Sequence, residues 1–251
     1  MPIKNKKNIS VGLIPVRLNS TRLFQKALLE IEKVPMVIHT YKRALLSKRL
    51  NDVFICTDSA KIIKIAKKFN CKFIKTGANK TGTDRISEAS KKLNKKYDFY
   101  IDIQGDEPLI NPKHIDKVID WHSQNNDFDI VVPSLKSSDI DTPHIVKIVK
   151  SGKKVLYFSR ALVPYPFKIS NISYFKHLSV ISFNLESLQK FKKLPQSKLE
   201  KIEGIDLMRA LENNMKIGTF SLSGTSFSVD TKDDFIKAIK FMTIDKIKEK
   251  Y

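Results

Sequence analysis

The sequence predicts an α/β protein with a doubly wound, mostly parallel sheet and an embedded lobe, and three observations lead there. Short apolar runs alternate with helical patterns through the first half of the chain. The first of these runs empties into a basic loop at the sheet edge where such folds bind ligands. Past about residue 137 the alternation gives way to hairpin-like strands.

Taken in order, residues 11–15, 53–57, 72–75, 99–104 and 130–135 read as strands, several with the unbroken apolar character of strands covered on both faces. Helices are expected at 37–46 after Pro35, 61–69 after Asp58 and Ser59, 85–93 after Asp84, and 113–122 after Asn111 and Pro112. Beyond them, 146–149, 155–159 and 178–184 read as strands of a lobe spanning about 137–190, with a turn at Ser151 and Gly152. Helical patterns return at 187–193, 202–213 and from Asp233 onwards, with a strand at 216–222. No repeat or low-complexity linker divides the 251 residues, so residues 1–251 read as one domain.

Composition narrows the function classes. At 41% hydrophobic the chain can bury a proper core, which argues against disorder. Its +20 charge, 46 Lys+Arg against 26 Asp+Glu, favours anionic partners. The lysines are dispersed rather than clustered, and no nucleic-acid module accompanies them, so no nucleic-acid partner is expected. Cys56 and Cys71 are too few for a disulfide framework and fit a reducing cytoplasm. The basic opening lacks the apolar length of a signal or a membrane span, and no membrane partner is expected.

The chemistry concentrates in a few segments. Residues 13–26 carry Arg17, Arg22 and Lys26 with no acidic residue among them, a pattern suited to gripping a polyphosphate. Gln104-Gly105-Asp106-Glu107-Pro108 ends a strand where an acidic residue can hold Mg2+ against a phosphate, although the same five residues also read as a plain acidic turn. Asp230 is either a second carboxylate of this kind or the N-cap of the last helix. The small-residue loop 77–85 offers backbone donors before a helix. Neither a P-loop nor a Gly-x-Gly-x-x-Gly motif is present.

Residues 14–26, Thr81-Gly82-Thr83-Asp84-Arg85, 104–108, Tyr157-Phe158-Ser159-Arg160-Ala161, Lys176-His177-Leu178, 199–203 and Ser228-Val229-Asp230-Thr231, in this order, resemble the CMP-sugar-acid synthetases. The 3-deoxy-manno-octulosonate (Kdo) cytidylyltransferases are the nearest of these. The resemblance spans essentially the whole chain and implies a nucleotidyltransferase-type sheet with a dimerisation and sugar-binding lobe. It implies that Arg17, Arg22 and Lys26 bind the CTP phosphates, that Ser20, Thr81, Gly82, Thr83 and Arg85 help hold the nucleotide, and that Gln104 lies near its cytosine-ribose end. Asp106 and Asp230 are implied as Mg2+ ligands; Arg160, His177 and Asp206 would face a sugar-acid substrate. Arg17, Lys26, Asp106 and Asp230 would carry the catalysis, in a homodimeric cytoplasmic transferase that serves lipopolysaccharide synthesis.

Departures from the family pattern cluster at the sugar end. Two tyrosine positions hold Ile181 and Phe183, and a Glu-Gln pair becomes Asp206-Leu207. An unpaired buried substrate hydroxyl costs about 1–3 kcal/mol, enough to shift sugar preference tenfold. An amino-octulosonate or a nine-carbon acid is therefore a second candidate substrate, and a non-catalytic nucleotide- or RNA-binding protein is an alternative of another class. Nucleotide-side changes are milder, among them Val16 for alanine. His39, His114, His122 and His144 read as packing or surface residues, and Trp121 as helix packing, because it recurs with Ile115, Val118 and Ile119 at helical spacing.

Overall fold

Four apolar strands, β1 (Ser10–Pro15), β4 (Asp52–Thr57), β5 (Phe73–Lys75) and β6 (Phe99–Ile103), pair in parallel in the order β6-β1-β4-β5 in a computed structural model that describes residues 8–19, 23–137, 141–169 and 172–251. Every residue of β1 and of β6 is buried, as a strand covered on both faces requires. The covering helices are α1 (Met36–Leu45), α2 (Ala60–Lys68), α3 (Gly82–Ser90) and α4 (Pro112–Gln124). One core layer packs against α1, α2 and α4, and the other against α3 and the later helices α5 (Leu185–Lys193), α6 (Lys198–Glu203) and α7 (Leu207–Glu212).

The sheet continues through β12 (Val180–Phe183), which runs antiparallel to β6, and β7 (Ile130–Val131). Beyond these lie β13 (Ile217–Gly218), β10 (Lys154–Ser159), β9 (Lys147–Ser151), β11 (Tyr174–His177), β8 (Ser134–Ser137) and β14 (Ser221–Leu222). The described residues thus form one twelve-stranded sheet, parallel at the end where β1 opens and largely antiparallel in the lobe. Helix α8 (Lys232–Thr243) packs against the hairpin β2 (Glu30–Ile31) and β3 (Val34–Pro35).

Several expected elements are corrected. The strand at 130–135 is two strands, because Pro133 has no N–H for a ladder and the chain changes neighbours there, β7 to β12 and β13, β8 to β11 and β14. The helix at 202–213 breaks at Gly204, whose φ of 62° ends α6. The strand at 216–222 is likewise two short pieces. Helix α3 begins at Gly82 under a Thr81 cap that accepts from the Asp84 N–H, so Asp84 lies inside its first turn. The last helix ends at Thr243. Strand β11 and the hairpin were not foreseen. The hairpin's Glu32 and Lys33 adopt φ of 50° and 64°, a primed turn without the Asn or Gly that signals one.

Candidate active site

At the carboxyl end of β1 the chain turns through Val16 into the basic loop, and at the carboxyl end of β6 it turns through Gln104 and Gly105 into Asp106. These neighbouring strand ends approach closely. A Cβ on Gly105 would stand 2.8 Å from Val16 Cγ2, so only glycine fits without a shift. The third contributor is the segment before α8, where Val229 N–H donates to the Asp106 carbonyl at 2.9 Å and places Asp230 beside it.

The carboxylates converge on one cation. Lys26 Nζ lies 2.6 Å from Asp106 Oδ2 and 3.0 Å from Asp230 Oδ1. Burial opposes the charge of Lys26, but the two carboxylates outweigh it and raise its pKa above the ordinary lysine value. Asp230 is not the helix cap; Thr231 fills that role in a capping box with Asp234. A single cation can therefore reach both aspartates. Two hard oxygen donors, with space beside them for water and phosphate, form the donor set Mg2+ takes when it binds with a nucleotide. Among the described residues no group of three or more His, Cys, Asp or Glu could hold a metal.

Two cavities meet at this pair. The smaller, of about 250 Å³, is lined by Arg17, Lys26, Lys80, Arg85, Gly105 and neighbouring residues. The larger, of about 940 Å³, is lined by Glu107, Arg160, Lys176, His177, Ile181, Asp206 and others. Thr81, Gly82, Gln104, Asp106 and Asp230 line both, so Gln104 stands at the junction.

The structure brings together Arg17, Lys26, Thr81, Gly82, Arg85, Gln104, Asp106 and Asp230 around the smaller cavity and Arg160, His177 and Asp206 around the larger. It does not bring Thr83 to either. That residue is buried, and its hydroxyl donates to Asp206 Oδ2 at 2.6 Å. Arg85 braces the loop as well as lining the cavity, through Thr76 Oγ1 at 2.6 Å and Asp58 at 3.2 Å. Ser20 and Arg22 lie outside the described residues.

In the larger cavity, Arg160 donates to the carbonyls of Glu203 at 2.7 Å, Pro143 at 2.6 Å and Gly204 at 3.3 Å, which pins its guanidinium in place. Burial, with the Arg160 charge adding to it, pushes the His177 pKa down to about 4, so the ring is neutral at pH 7. Burial raises that of Asp206, against the Thr83 hydrogen bond and the Arg209 charge. Sequence reasoning missed Glu107, whose pKa burial raises to about 7, and Lys176, which donates to the Ser226 carbonyl at 2.7 Å. Both were visible as neighbours of Asp106 and His177 in the motifs, without a pattern of their own. His144, expected at the surface or in packing, also lines this cavity. His39, His114 and His122 are buried and hydrogen-bonded, and Trp121 stacks on Phe220.

The sheet and its end-on cavities define an enzyme of the nucleotidyltransferase class, and residues 11–217 match the family Cytidylyltransferase. A 3-deoxy-manno-octulosonate cytidylyltransferase of Fusobacterium nucleatum is 35% identical over 95% of this chain and 98% of its own. One from Thermodesulfovibrio yellowstonii is 37% identical over 92% and 97%. A solved CMP:2-keto-3-deoxy-manno-octonic acid synthetase complexed with CTP superposes with a TM-score of 0.87 at 31% identity, over 93% of this chain and 98% of that one. The chain belongs to the 3-deoxy-manno-octulosonate cytidylyltransferase family.

Proposed function

We propose that this enzyme transfers CMP from CTP to the anomeric hydroxyl of Kdo or a close 2-keto-3-deoxy sugar acid and releases pyrophosphate. The observation that carries the reading is the Lys26–Asp106–Asp230 cluster at the meeting of the two cavities, one walled by cations and the other large enough for an acid sugar.

Arg17 and Lys26 supply the positive wall that holds the triphosphate and steadies charge on the leaving pyrophosphate. The residues common to both cavities mark where the reacting atoms meet, with the α-phosphorus entering from the smaller side and the acid's hydroxyl from the larger. Arg160, immobilised by three carbonyls, presents a fixed charge to the acid's carboxylate, and neutral His177 offers a hydrogen bond rather than a charge. Asp106 and Asp230 are the residues that would hold Mg2+, which when bound neutralises phosphate charge and acidifies the attacking hydroxyl.

Ile181 and Leu207 line the larger cavity, which favours as a second reading an acid altered where Kdo carries hydroxyls, either an amino-octulosonate or a nine-carbon acid. The exposed Tyr165, Phe167 and Ile169 support a homodimer formed through the lobe, and the two buried free cysteines suit a reducing cytoplasm. In that setting the product would feed lipopolysaccharide assembly. Among the described residues no helix is long and apolar enough to cross a membrane. Incubating the enzyme with CTP, Mg2+ and a panel of sugar acids, with mass-spectrometric detection of the CMP-linked product, tests the reading. A product with Kdo or a near relative is expected; no product with any acid would refute it.

A further inference from the structure

Asp102, on β6, is fully buried, and its Oδ2 has no hydrogen-bond partner. Only Ser10 Oγ and Thr219 Oγ1 share that condition among the described residues, and both are hydroxyls. A buried orphan carboxyl is costly, and an apolar side chain of the same size would avoid the cost, so its presence calls for another explanation. Asp102 lies two residues before Gln104 along the strand direction, which puts the two side chains on one face. Its Oδ1 accepts from Gln104 Nε2 at 2.9 Å. The same Nε2 borders the first residue of α3, since a Cβ on Gly82 would stand 3.5 Å from it. Gln104 N–H donates to the Ser179 carbonyl at 3.2 Å, which fixes the backbone end. Gln104 Oε1 makes no hydrogen bond to another described residue, while Gln104 lines both cavities.

We propose that Asp102 is a positioning residue: its carboxyl draws Gln104 Nε2 inward, so that Oε1 faces the junction of the two cavities and accepts a hydrogen bond from a hydroxyl of the bound substrates. The inference rests on the cytidylyl-transfer reading above. Such a hydroxyl belongs either to the ribose or to the acid sugar. An amide free to flip would offer a donor there half the time and leave the substrate hydroxyl without an acceptor.

The surroundings of the Asp102 carboxyl disfavour its charged form. Burial first, and the charge of Asp206 at the start of α7 second, raise its pKa well above the ordinary aspartate value, with Asp106 adding to the effect and Gln104 opposing it. The strands beside it place Leu13 and Ile181 opposite, and β4 contributes the Cys56 thiol, its pKa raised by burial. Arg85, on the helix above, is held by Asp58 and Thr76.

Two near-isosteric variants test this. Asp102→Asn keeps an acceptor and a neutral group, and its kcat/KM should stay within about threefold of wild type. Asp102→Leu removes the acceptor and should lower kcat/KM about ten- to hundredfold with an unfolding midpoint equal to or above wild type, a split that a merely structural role would not produce. Should the leucine variant fail to fold, Asp102→Ala stands in and should show the same loss, and that loss should disappear in a Gln104→Leu background. Substituting 2′-deoxy-CTP and, separately, 3′-deoxy-CTP assigns the hydroxyl. If the ribose supplies it, wild type loses the same factor with one of the two and the leucine variant loses nothing more; if the sugar acid supplies it, wild type is unaffected by either. An Asp102→Leu enzyme within twofold of wild type, or an asparagine variant as impaired as the leucine one, would overturn the inference while leaving cytidylyl transfer intact. Absence of product with wild type would overturn both.

Discussion

Lys26 answers two carboxylates at once, and the proposed transfer places its chemistry at that arrangement. Asp106→Asn and Asp230→Asn should each lower kcat by about two orders of magnitude in a steady-state assay, since each removes charge where charge develops in the reaction. The unfolding midpoint should move little, because the cluster is partly solvated and Lys26 keeps its second partner, which limits the stability loss to about 1 kcal/mol. A stability loss large enough to explain the rate loss would contradict this. Arg17, Lys26, Asp106, Asp230, Arg160 and His177 each stand in a sequence motif, and each lines a cavity. Thr83 and Asp102 were illegible, because which way a side chain bonds depends on partners distant in sequence, such as Asp206.

The elements hold these residues through close approaches. In Gly105→Ala the new Cβ would press on Val16 Cγ2, the end of β1 would have to give way, and Asp106 would move with it. We expect a stability cost of about 1–3 kcal/mol and a fall in kcat, with Val16→Ala in the same chain restoring both. No rescue would show that the strand ends do not set the site. Helix α4 is tied to the sheet by His122, which bonds Ser182 Oγ at 2.7 Å and the Phe128 carbonyl at 3.1 Å. Burial lowers its pKa from 6.5 to about 4, so the folded state holds fewer protons than the unfolded chain between those values. Stability is therefore full above pH 6.5 and falls as pH drops towards 4, by up to about 3 kcal/mol. Urea midpoints against pH should show that slope, and His122→Asn should reduce it, leaving the part that buried His177 contributes over the same range. The parallel strands and their helices were legible because their periodicity is strong. The hairpin at 30–35 and strand β11 were not, since a Glu-Lys turn and a half-exposed Tyr-Phe-Lys-His strand carry no local signature.

For the whole molecule, the proposed dimer predicts a mass of two chains in light scattering at micromolar concentration, and Phe167→Asp should shift it towards one. A monomeric wild type would refute the lobe's assembly role. The change of rhythm past residue 137 was readable in the sequence, but the joining of that lobe to the parallel strands in one continuous sheet was not, because strands as short as β7 and β13 acquire their pairing only from tertiary context. The proposed reaction transfers the α-phosphoryl group, with pyrophosphate leaving, at the junction where Lys26, Asp106 and Asp230 meet. Phosphorus NMR of CTP, Mg2+ and Kdo with the enzyme reads it directly. A phosphodiester signal and pyrophosphate should rise together in equal amounts, and both about a hundredfold more slowly with Asp106→Asn. Release of inorganic phosphate and CDP, or CTP left unchanged with every acid, would contradict it.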